Sequence, residues 1–279
     1  LGVDLSSWRL ALNGAEPVDP DAVEAFCAAG APYGFDTKAA FPVFGMAEAT
    51  LAVAFPALGA GMEVDVVDRG ALERDAVALP IDAGHERARR LAVLGRAVRG
   101  FEMRIADRNA GTPLGDRGVG ELQLRGPSVT SGYYRNETAT DAAFVDGWFR
   151  TGDLAYLVDD RLVVCGRLKD VIIVGGRNVF PEDVERAAAS ADGVRAGNVI
   201  AFGSVSRRHR ESIVVVAETK SDDPAGVRER IVVRVSDAVG IPPTDVVLVP
   251  PGSLPKTSSG KLQRSLCHER YDAGALDPV

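Results

Sequence analysis

The chain has 279 residues, of which 46% are hydrophobic and 25% are charged, a globular composition that excludes a disordered or fibrous protein. Its formal net charge of −7 argues against nucleic-acid or anionic-membrane binding. At about 150 residues per domain, the length predicts two domains, or one large domain with an appendage. The most apolar stretch, residues 51–62, is too short to cross a bilayer and contains Pro56, so we expect no transmembrane segment.

The first predicted element is a helix over residues 20–29. Val23, Phe26 and Cys27 fall on one face of this helix, and Gly30 provides a stop signal. We therefore expect these three side chains to face the core together.

From residue 101 onward, hydrophobic residues recur with a period of two, which predicts a series of short strands separated by turns. The predicted strands are residues 101–105, 121–124, 154–158, 162–165 and 171–174. Upstream, residues 63–94 show little patterning, and this predicts an insertion or a loop with a short helix.

After Gly176 the pattern alternates between helix and strand. Pro181 opens a predicted helix, since proline suits the first turn and the acids that follow it face the positive end of the helix dipole. A β-branched run at 213–217 predicts a strand, and an apolar stripe over 227–239 predicts a second helix. Residues from about 171 therefore form a small α+β unit.

The cysteines and histidines show no spacing typical of a functional site. The cysteines are Cys27, Cys165 and Cys267. They are far apart and form no CxxC pair, so neither a disulfide framework nor a metal site is indicated, and a reducing, cytoplasmic setting is predicted. The histidines are His85, His209 and His268. They lack triad or ligand spacing, and we expect them at the surface.

Two polar clusters in the first 50 residues follow apolar runs. In residues 13–17, small side chains would let a flat ligand approach the backbone, and the alternative is an ordinary turn. In the second cluster, Phe44 offers an aromatic face and Glu48 a carboxylate, the group that usually holds Mg²⁺ beside bound phosphates. The alternative is a core phenylalanine and a surface glutamate.

Two further clusters lie at later turns. Asp153 follows a glycine turn, where a carboxylate could accept hydrogen bonds from a sugar diol. Arg167 can donate a fork of hydrogen bonds to oxygens, and with Asp170 it forms a charged pivot of the kind that a domain junction needs. Each of these clusters alone is also compatible with an ordinary turn.

The last cluster surrounds Lys261 in a Ser/Gly loop. It is not a Walker phosphate loop, because seven residues separate Gly252 from Gly260 and Leu262 follows the lysine. A lysine on such a loop can move onto a developing charge, and the alternative is a solvated tail lysine.

Taken together and in this order, the clusters resemble the adenylate-forming superfamily of acyl-CoA synthetases, amino-acid adenylation domains and luciferases. The resemblance covers essentially the whole chain and is strongest to the fatty acyl-AMP ligases. The segments that carry this closer likeness are residues 4–8, 13–17, 44–50 and 176–183.

The resemblance implies a role for each motif. Glu48 would bind Mg²⁺, and Asp153 and Arg167 would contact the ribose. Asp170 would be the hinge of the C-terminal domain, and Lys261 would contact the substrate carboxylate and the α-phosphate. The adenine would lie between Phe44, with its neighbour Gly45, and the opposite backbone; the residues of that backbone are Gly14, Ala15 and Glu16.

The implied activity is that of an enzyme, an ATP- and Mg²⁺-dependent ligase. The carboxylate of a fatty or related acid attacks the α-phosphate of ATP, and a thiol then captures the acyl-AMP after domain rotation. Residues 51–94 are longer than the corresponding connection in acyl-CoA synthetases, which favours a phosphopantetheine thiol on an acyl carrier protein or polyketide synthase. Free CoA as acceptor, and a non-catalytic interaction module, remain the alternatives.

The implied architecture is multidomain, combining α/β and α+β parts. Its predicted segments are the end of a large α/β subdomain at 1–60, a distorted β-barrel subdomain at 61–168 with an insertion at about 51–94, a hinge at 169–170 and a mobile α+β domain at 171–279.

Two features depart from the family pattern. Ala47 stands where many members have a phosphate-contacting threonine, and Phe44 replaces the commoner tyrosine. The family's Ser/Thr/Gly-rich phosphate loop and most of its acyl tunnel would precede residue 1. The sequence therefore predicts the C-terminal half of such an enzyme, inactive on its own.

Overall fold

The computed structural model describes residues 2–205 and 211–279. His209 lies outside them. The helices are α1 (Pro20–Gly30), α2 (Arg69–Arg74), α3 (Glu137–Ala143), α4 (Pro181–Ala189), α5 (Pro224–Val239) and α6 (Arg264–Asp272). The strands are β1 (Ala11–Asn13), β2 (Ala40–Pro42), β3 (Phe44–Gly45), β4 (Ala52–Phe55), β5 (Glu63–Asp68), β6 (Ala88–Val93), β7 (Arg96–Ala97), β8 (Glu102–Ala106), β9 (Gly120–Arg125), β10 (Phe144–Val145), β11 (Trp148–Val158), β12 (Arg161–Arg167), β13 (Ile172–Val174), β14 (Arg177–Val179), β15 (Val194–Val205), β16 (Glu211–Thr219) and β17 (Asp245–Val249).

The chain divides into two compact units, residues 1–168 and 169–279. In the first unit, α1 spans the predicted helix. Val23 and Cys27 are buried as predicted, but Phe26 is 47% exposed. Phe26 lies at the margin of the buried face and meets the ring of Phe35 edge-on, with 5.2 Å between ring centroids.

The main sheet of the first unit has the order β5-β6-β12-β11-β9-β8, and its neighbouring strands are antiparallel. It contains four of the strands that the period-two pattern predicts. β11 and β12 are joined by a two-residue turn at Asp159 and Asp160, both with positive φ. This is the conformation that a tight hairpin requires, because it matches the twist of the flanking strands.

The distorted β-barrel that the family resemblance predicts is not formed: the described residues contain an open sheet and no closed barrel. The two end strands of the sheet, β5 and β8, do not pair with each other. Each folds against a nearby segment instead: the outer edge of β5 bonds to residues 79–81, and that of β8 bonds to residues 112–114. Their edge groups are thus satisfied locally, and closure is not needed.

Of the two alternatives for residues 63–94, the loop is wrong at both ends of the segment, which form β5 and β6 in the sheet; the short helix is α2. The alternation was hard to recognise because polar side chains occupy one inward position of each strand. Asp65 accepts hydrogen bonds from Tyr156 (2.6 Å) and from the guanidinium of Arg117. The buried Arg89 donates to the Cys165 carbonyl oxygen. Paired charges fill positions where apolar residues are usual.

The second unit is built on the three-stranded sheet β15-β16-β17. In it, β16 and β17 are parallel and are connected in the chain by α5. Successive residues of β16 point to opposite faces, and both faces are covered. One face packs against α4 and α5 in a cluster that includes Ile213, Val215 and Ile231. The other packs Val214 and Val216 with Leu254 and with Cys267 of α6. The β-branched run is therefore a fully buried central strand.

Two composition-based expectations can be compared with the structure. The three cysteines are free and buried. His85 is exposed, whereas His268 is half-buried and stacks on Phe202 at 4.5 Å between ring centroids. Within residues 2–205 and 211–279, no helix has both the length and the apolar character needed to cross a membrane.

Candidate functional site

Parallel pairing of β1 with β2 brings the loop after β1 beside the residue that precedes Phe44. Asn13 and Pro42 are opposite each other, and the Val43 amide donates to the Asn13 carbonyl oxygen at 2.8 Å. A Cβ atom on Gly14 would lie 2.6 Å from the Val43 carbonyl oxygen, so only glycine fits. A surface depression beside this loop is lined in part by Asn13, Gly14 and Glu16.

Phe44 and Gly45 form the short strand β3, which pairs with β4. A Cβ atom on Gly45 would lie 2.0 Å from the Leu51 carbonyl oxygen, so the two strands approach as closely as their backbones allow. The Met46 amide donates to the same oxygen at 2.8 Å. This tight hairpin fixes the one-turn 3₁₀ helix Ala47–Ala49, which carries Glu48.

The turn that carries Glu48 is held by the segment 128–133. The Thr130 amide donates to the Glu48 carbonyl oxygen at 2.7 Å, and the Tyr133 hydroxyl donates to Oε1 of Glu48 at 3.1 Å. Burial, followed by the hydrogen bond to Glu48, raises the pKa of Tyr133, so its hydroxyl remains a donor at neutral pH. Thr50, with φ of +68°, donates to the Ser128 carbonyl oxygen at 3.3 Å.

The donor set at Glu48 is compatible with Mg²⁺ that is shared with phosphates. In the described part of the chain, no three His, Cys, Asp or Glu side chains cluster as a complete metal site. Mg²⁺ commonly takes one or two protein carboxylates together with substrate phosphates and water. A half-buried Glu48, oriented by Tyr133, can supply one such carboxylate.

Asp153 and Arg167 are directly opposite each other on β11 and β12. Nε of Arg167 lies 3.0 Å from Oδ1 of Asp153; the Asp153 side chain is 6% exposed and that of Arg167 is 54% exposed. The Asp153 amide donates to the Thr151 hydroxyl at 3.0 Å. The cation orients a nearly buried carboxylate, a group able to accept two hydrogen bonds from a diol.

One hydrophobic cluster joins the motifs of the first unit. Ala49, next to Glu48, and Ala155, two residues after Asp153, are both buried in it. Phe44 and Val18, which follows the Gly14 loop, pack against the same cluster. The three polar motifs are therefore displayed around one common core, although they are far apart in sequence.

Asp170 and Lys261 belong to the second unit and are described there on their own. Asp170 Oδ2 lies 2.7 Å from an Nη of Arg264, the first residue of α6. The same guanidinium makes hydrogen bonds of 2.9 and 3.0 Å to both carboxylate oxygens of Glu185 on α4. Glu185 Oε1 also accepts from the Ala201 amide of β15 at 2.8 Å.

Lys261 lies in a closed loop, residues 255–262, which we call the Lys261 loop. The Thr257 amide donates to the Lys261 carbonyl oxygen at 2.8 Å, and the Lys261 amide donates to the Thr257 hydroxyl at 3.1 Å. At the base of the loop, the Gln263 amide donates to the Pro255 carbonyl oxygen at 2.9 Å. α6 begins directly after this closure.

A fully buried carboxylate anchors the segment that leads into the Lys261 loop. Glu218 of β16 accepts from the Gly252 and Leu254 amides and pairs with Arg195 at 2.6 Å. Burial alone would raise the pKa of Glu218, but the hydrogen bonds from Arg195 and the two amides outweigh it and hold the pKa below its usual value. The carboxylate is therefore charged at neutral pH and fixes the start of the loop.

Tyr133, Arg264 and Glu218 were missed in the sequence. Tyr133 lies 85 positions from Glu48 and Arg264 lies 94 positions from Asp170, so no local pattern joins either pair. A weak signal exists only for Arg264, which follows the candidate lysine by three residues.

Comparison with known proteins gives consistent matches. The family described as AMP-binding enzyme matches residues 2–134. The protein Rv1013 of Mycobacterium tuberculosis is 45% identical over 267 residues, which are 94% of this chain and 48% of Rv1013. JamA of Moorena producens, named a medium-chain-fatty-acid–[acyl-carrier-protein] ligase, is 37% identical over 290 residues, covering 99% of this chain and 49% of JamA.

Among solved structures, one from a study of fatty acyl-adenylate ligases of E. coli and L. pneumophila matches with a TM-score of 0.88 and 34% identity. The match covers 98% of this chain and 48% of that one. The chain thus spans about half the length of the relatives that it matches. The order of the motifs, their common core and these matches agree: residues 2–134 belong to the AMP-binding enzyme family, and fatty acyl-AMP ligases are among the homologues of the chain.

Proposed function

We propose that these residues form the C-terminal half of a ligase that uses ATP to convert a fatty or related carboxylic acid into acyl-AMP and pyrophosphate. The observation that carries the proposal is the display of the Gly14, Phe44–Glu48 and Asp153 motifs around one hydrophobic cluster. Because the chain covers about half of its relatives, the activity is proposed for the longer protein.

In this proposal each residue has a role set by its chemistry. The Phe44 ring packs against adenine opposite the backbone of the Gly14 loop, and Asp153, oriented by Arg167, accepts hydrogen bonds from the ribose hydroxyls. Lys261 is the proposed catalytic residue, donating to the substrate carboxylate and the α-phosphate as two anions meet. Mg²⁺ bound at Glu48 would neutralise phosphate charge.

The second half-reaction transfers the acyl group to a thiol, and we propose that this thiol is the phosphopantetheine of an acyl carrier protein or polyketide synthase. The similarity to JamA, which is named an acyl-carrier-protein ligase, supports this choice. The length of residues 51–94 no longer does so by itself, because β5 and β6 within that segment are part of the main sheet. Free CoA is the competing acceptor.

A rotation at residues 169–170 would let one site serve both half-reactions. The border between the two compact units at Leu168 and Lys169 supports a hinge at this place. We place the reaction in the cytoplasm, a reducing setting that suits three free cysteines.

The test is to join this chain to the N-terminal half of JamA at the aligned boundary and to measure ATP–pyrophosphate exchange with a series of fatty acids. We expect exchange by the chimera and none by the 279 residues alone. Lys261→Ala should lower the chimera's exchange rate at least about 100-fold. Lys256→Ala, in the same loop, is the matched control and should retain most of the rate.

The outcomes separate the alternatives. Strong exchange by the 279 residues alone would overturn the assignment to half of an enzyme. Equal rates for Lys261→Ala and the unmodified chimera would favour the non-catalytic interaction module. Acyl transfer to CoA, with none to a phosphopantetheinylated carrier protein, would make the protein an acyl-CoA ligase.

A further inference from the structure

Arg264 is not among the residues to which the proposed reaction assigns a role. Its guanidinium is mostly buried, with 21% of the side chain exposed, and it faces three carboxylates that are also mostly buried. Those carboxylates belong to Asp170, Glu182 and Glu185, and they lie at 2.7, 3.7 and 2.9 Å from the guanidinium nitrogens. Mostly buried carboxylates need a cation or hydrogen-bond donors, and Arg264 supplies a cation that all three share.

The fork geometry of arginine lets one side chain hold two elements at once. One Nη of Arg264 binds Asp170, at the proposed hinge, while the other binds both oxygens of Glu185 on α4. Glu185 is fixed in turn by the Ala201 amide of β15. A lysine ammonium has no such planar fork and could not reproduce this arrangement.

The backbone of Arg264 is also fixed. It follows the closed base of the Lys261 loop, where the Gln263 amide donates to the Pro255 carbonyl oxygen. It begins α6, whose Cys267 is fully buried in a hydrophobic cluster of the second unit. The guanidinium is therefore joined to the base of the loop through a single residue, Arg264 itself, whose backbone is held in α6.

From these contacts we infer that Arg264 is a positioning residue, which latches the hinge carboxylate of Asp170 to the base of the Lys261 loop so that the two move as one body. The inference deepens the proposed function, since it rests on the roles assigned there to Asp170 and Lys261. In a domain rotation, the torsions that change would then lie on the N-terminal side of the Asp170 side chain, and Lys261 would keep a fixed distance from the pivot.

The latch is tested by amide hydrogen exchange in the 279-residue chain, without any catalysis. Arg264→Gln should speed amide exchange at least about tenfold both at residues 170–172 and in the Lys261 loop. Without the latch, both segments open locally more often, and their amides exchange in the open state. Arg270→Gln, on the exposed end of α6, is the control and should change neither segment. An Arg264 that merely packs α6 would leave residues 170–172 as in the unmodified chain, which would overturn the inference.

A double-mutant cycle gives a second criterion. Asp170→Asn and Arg264→Gln should be non-additive at residues 170–172, because each removes the same bond. Additive effects would contradict a latch. If Arg264→Gln alone does not fold, Arg264→Gln combined with Glu185→Gln removes one unpaired carboxylate and is measured instead. Since exchange needs no substrate, an inactive chimera with an intact latch would overturn the ligase proposal alone.

Discussion

At the scale of single residues, buried charges determine much of this structure. Asp65, Glu218 and Arg264 each occupy a position where an apolar side chain would be usual, and each is held by partners distant in sequence. Such groups are costly to bury alone and are kept by their partners. Two substitutions at single residues have measurable consequences, one at a buried carboxyl group and one at a close approach of two backbones.

The first concerns Glu185, whose pKa is raised to about 7, chiefly by burial and against the pull of Arg264. The groups that act on it are Arg264, the Ala201 amide, Glu182 and Cys267, and Arg264 also binds Asp170. Between its ordinary value of 4.5 and about 7, the unfolded carboxyl loses its proton before the folded one does. Stability from this group is thus complete below pH 4.5 and is lost as the pH rises through 7.

Urea unfolding at pH 5, 6, 7 and 8 should therefore show a loss of up to about 3 kcal/mol in the unmodified chain that is missing from Glu185→Gln. Only the difference between the two pH profiles matters, since other groups titrate in both proteins. A constant difference over this range would contradict the raised pKa.

The second concerns Gly45, where a Cβ atom would lie 2.0 Å from the Leu51 carbonyl oxygen. Gly45→Ala must push β3 away from β4, and we expect it to lower the free energy of unfolding by about 2 kcal/mol or more. Gly115→Ala, where a Cβ atom meets nothing within 4 Å, is the matched control. Equal stability of the two variants in urea would show that the hairpin yields easily.

At the scale of elements, the sequence predicted those with clear period or punctuation. The spacing of apolar residues, with proline or glycine at the ends, was enough to predict several elements. They are α1, α4, α5, β16 and the strands after residue 101. β5 and β6 could not be predicted in this way, because their inward positions carry Asp65 and Arg89, whose partners lie on other strands. The open sheet was also missed, since pairing at its edges depends on short segments without periodicity.

The hairpin between β11 and β12 offers a test at this scale. Asp160 has φ of +59° and an exposed side chain whose ion pair with Arg96 contributes little. Asp160→Gly should raise the free energy of unfolding by about 0.5 kcal/mol, since glycine adopts this conformation freely. Asp160→Ala should lower it by about 1 kcal/mol. The reverse order in chemical denaturation would exclude backbone strain at this turn.

At the scale of the whole molecule, the candidate site was predicted as a set of motifs, but its supports were not. Phe44, Glu48 and Asp153 stand out as polar or aromatic residues beside turns. Tyr133 and Arg264 act through contacts that only the folded chain creates. Residue roles at the site remain proposals, to be tested in the chimera.

The division into two units leads to a further prediction. Among the residues that the structure describes, two hydrophobic clusters consist entirely of residues after Lys169. A polypeptide of residues 169–279, within the size range of an independent domain, should fold alone and unfold in one cooperative transition. Calorimetry and a dispersed amide spectrum would show this. A broad, non-cooperative transition would mean that its core depends on residues 1–168.

The parallel pairing of β16 with β17 has a consequence for biosynthesis. Since α5 must cross between the two strands, translation delivers the central strand well before its partner. Until residue 249 has left the ribosome, one edge of β16 lacks its neighbour and a largely aliphatic strand is open to association with other nascent chains. The interval of greatest exposure to aggregation therefore falls between the synthesis of β16 and that of β17, when chaperones that recognise extended aliphatic segments would protect the chain most.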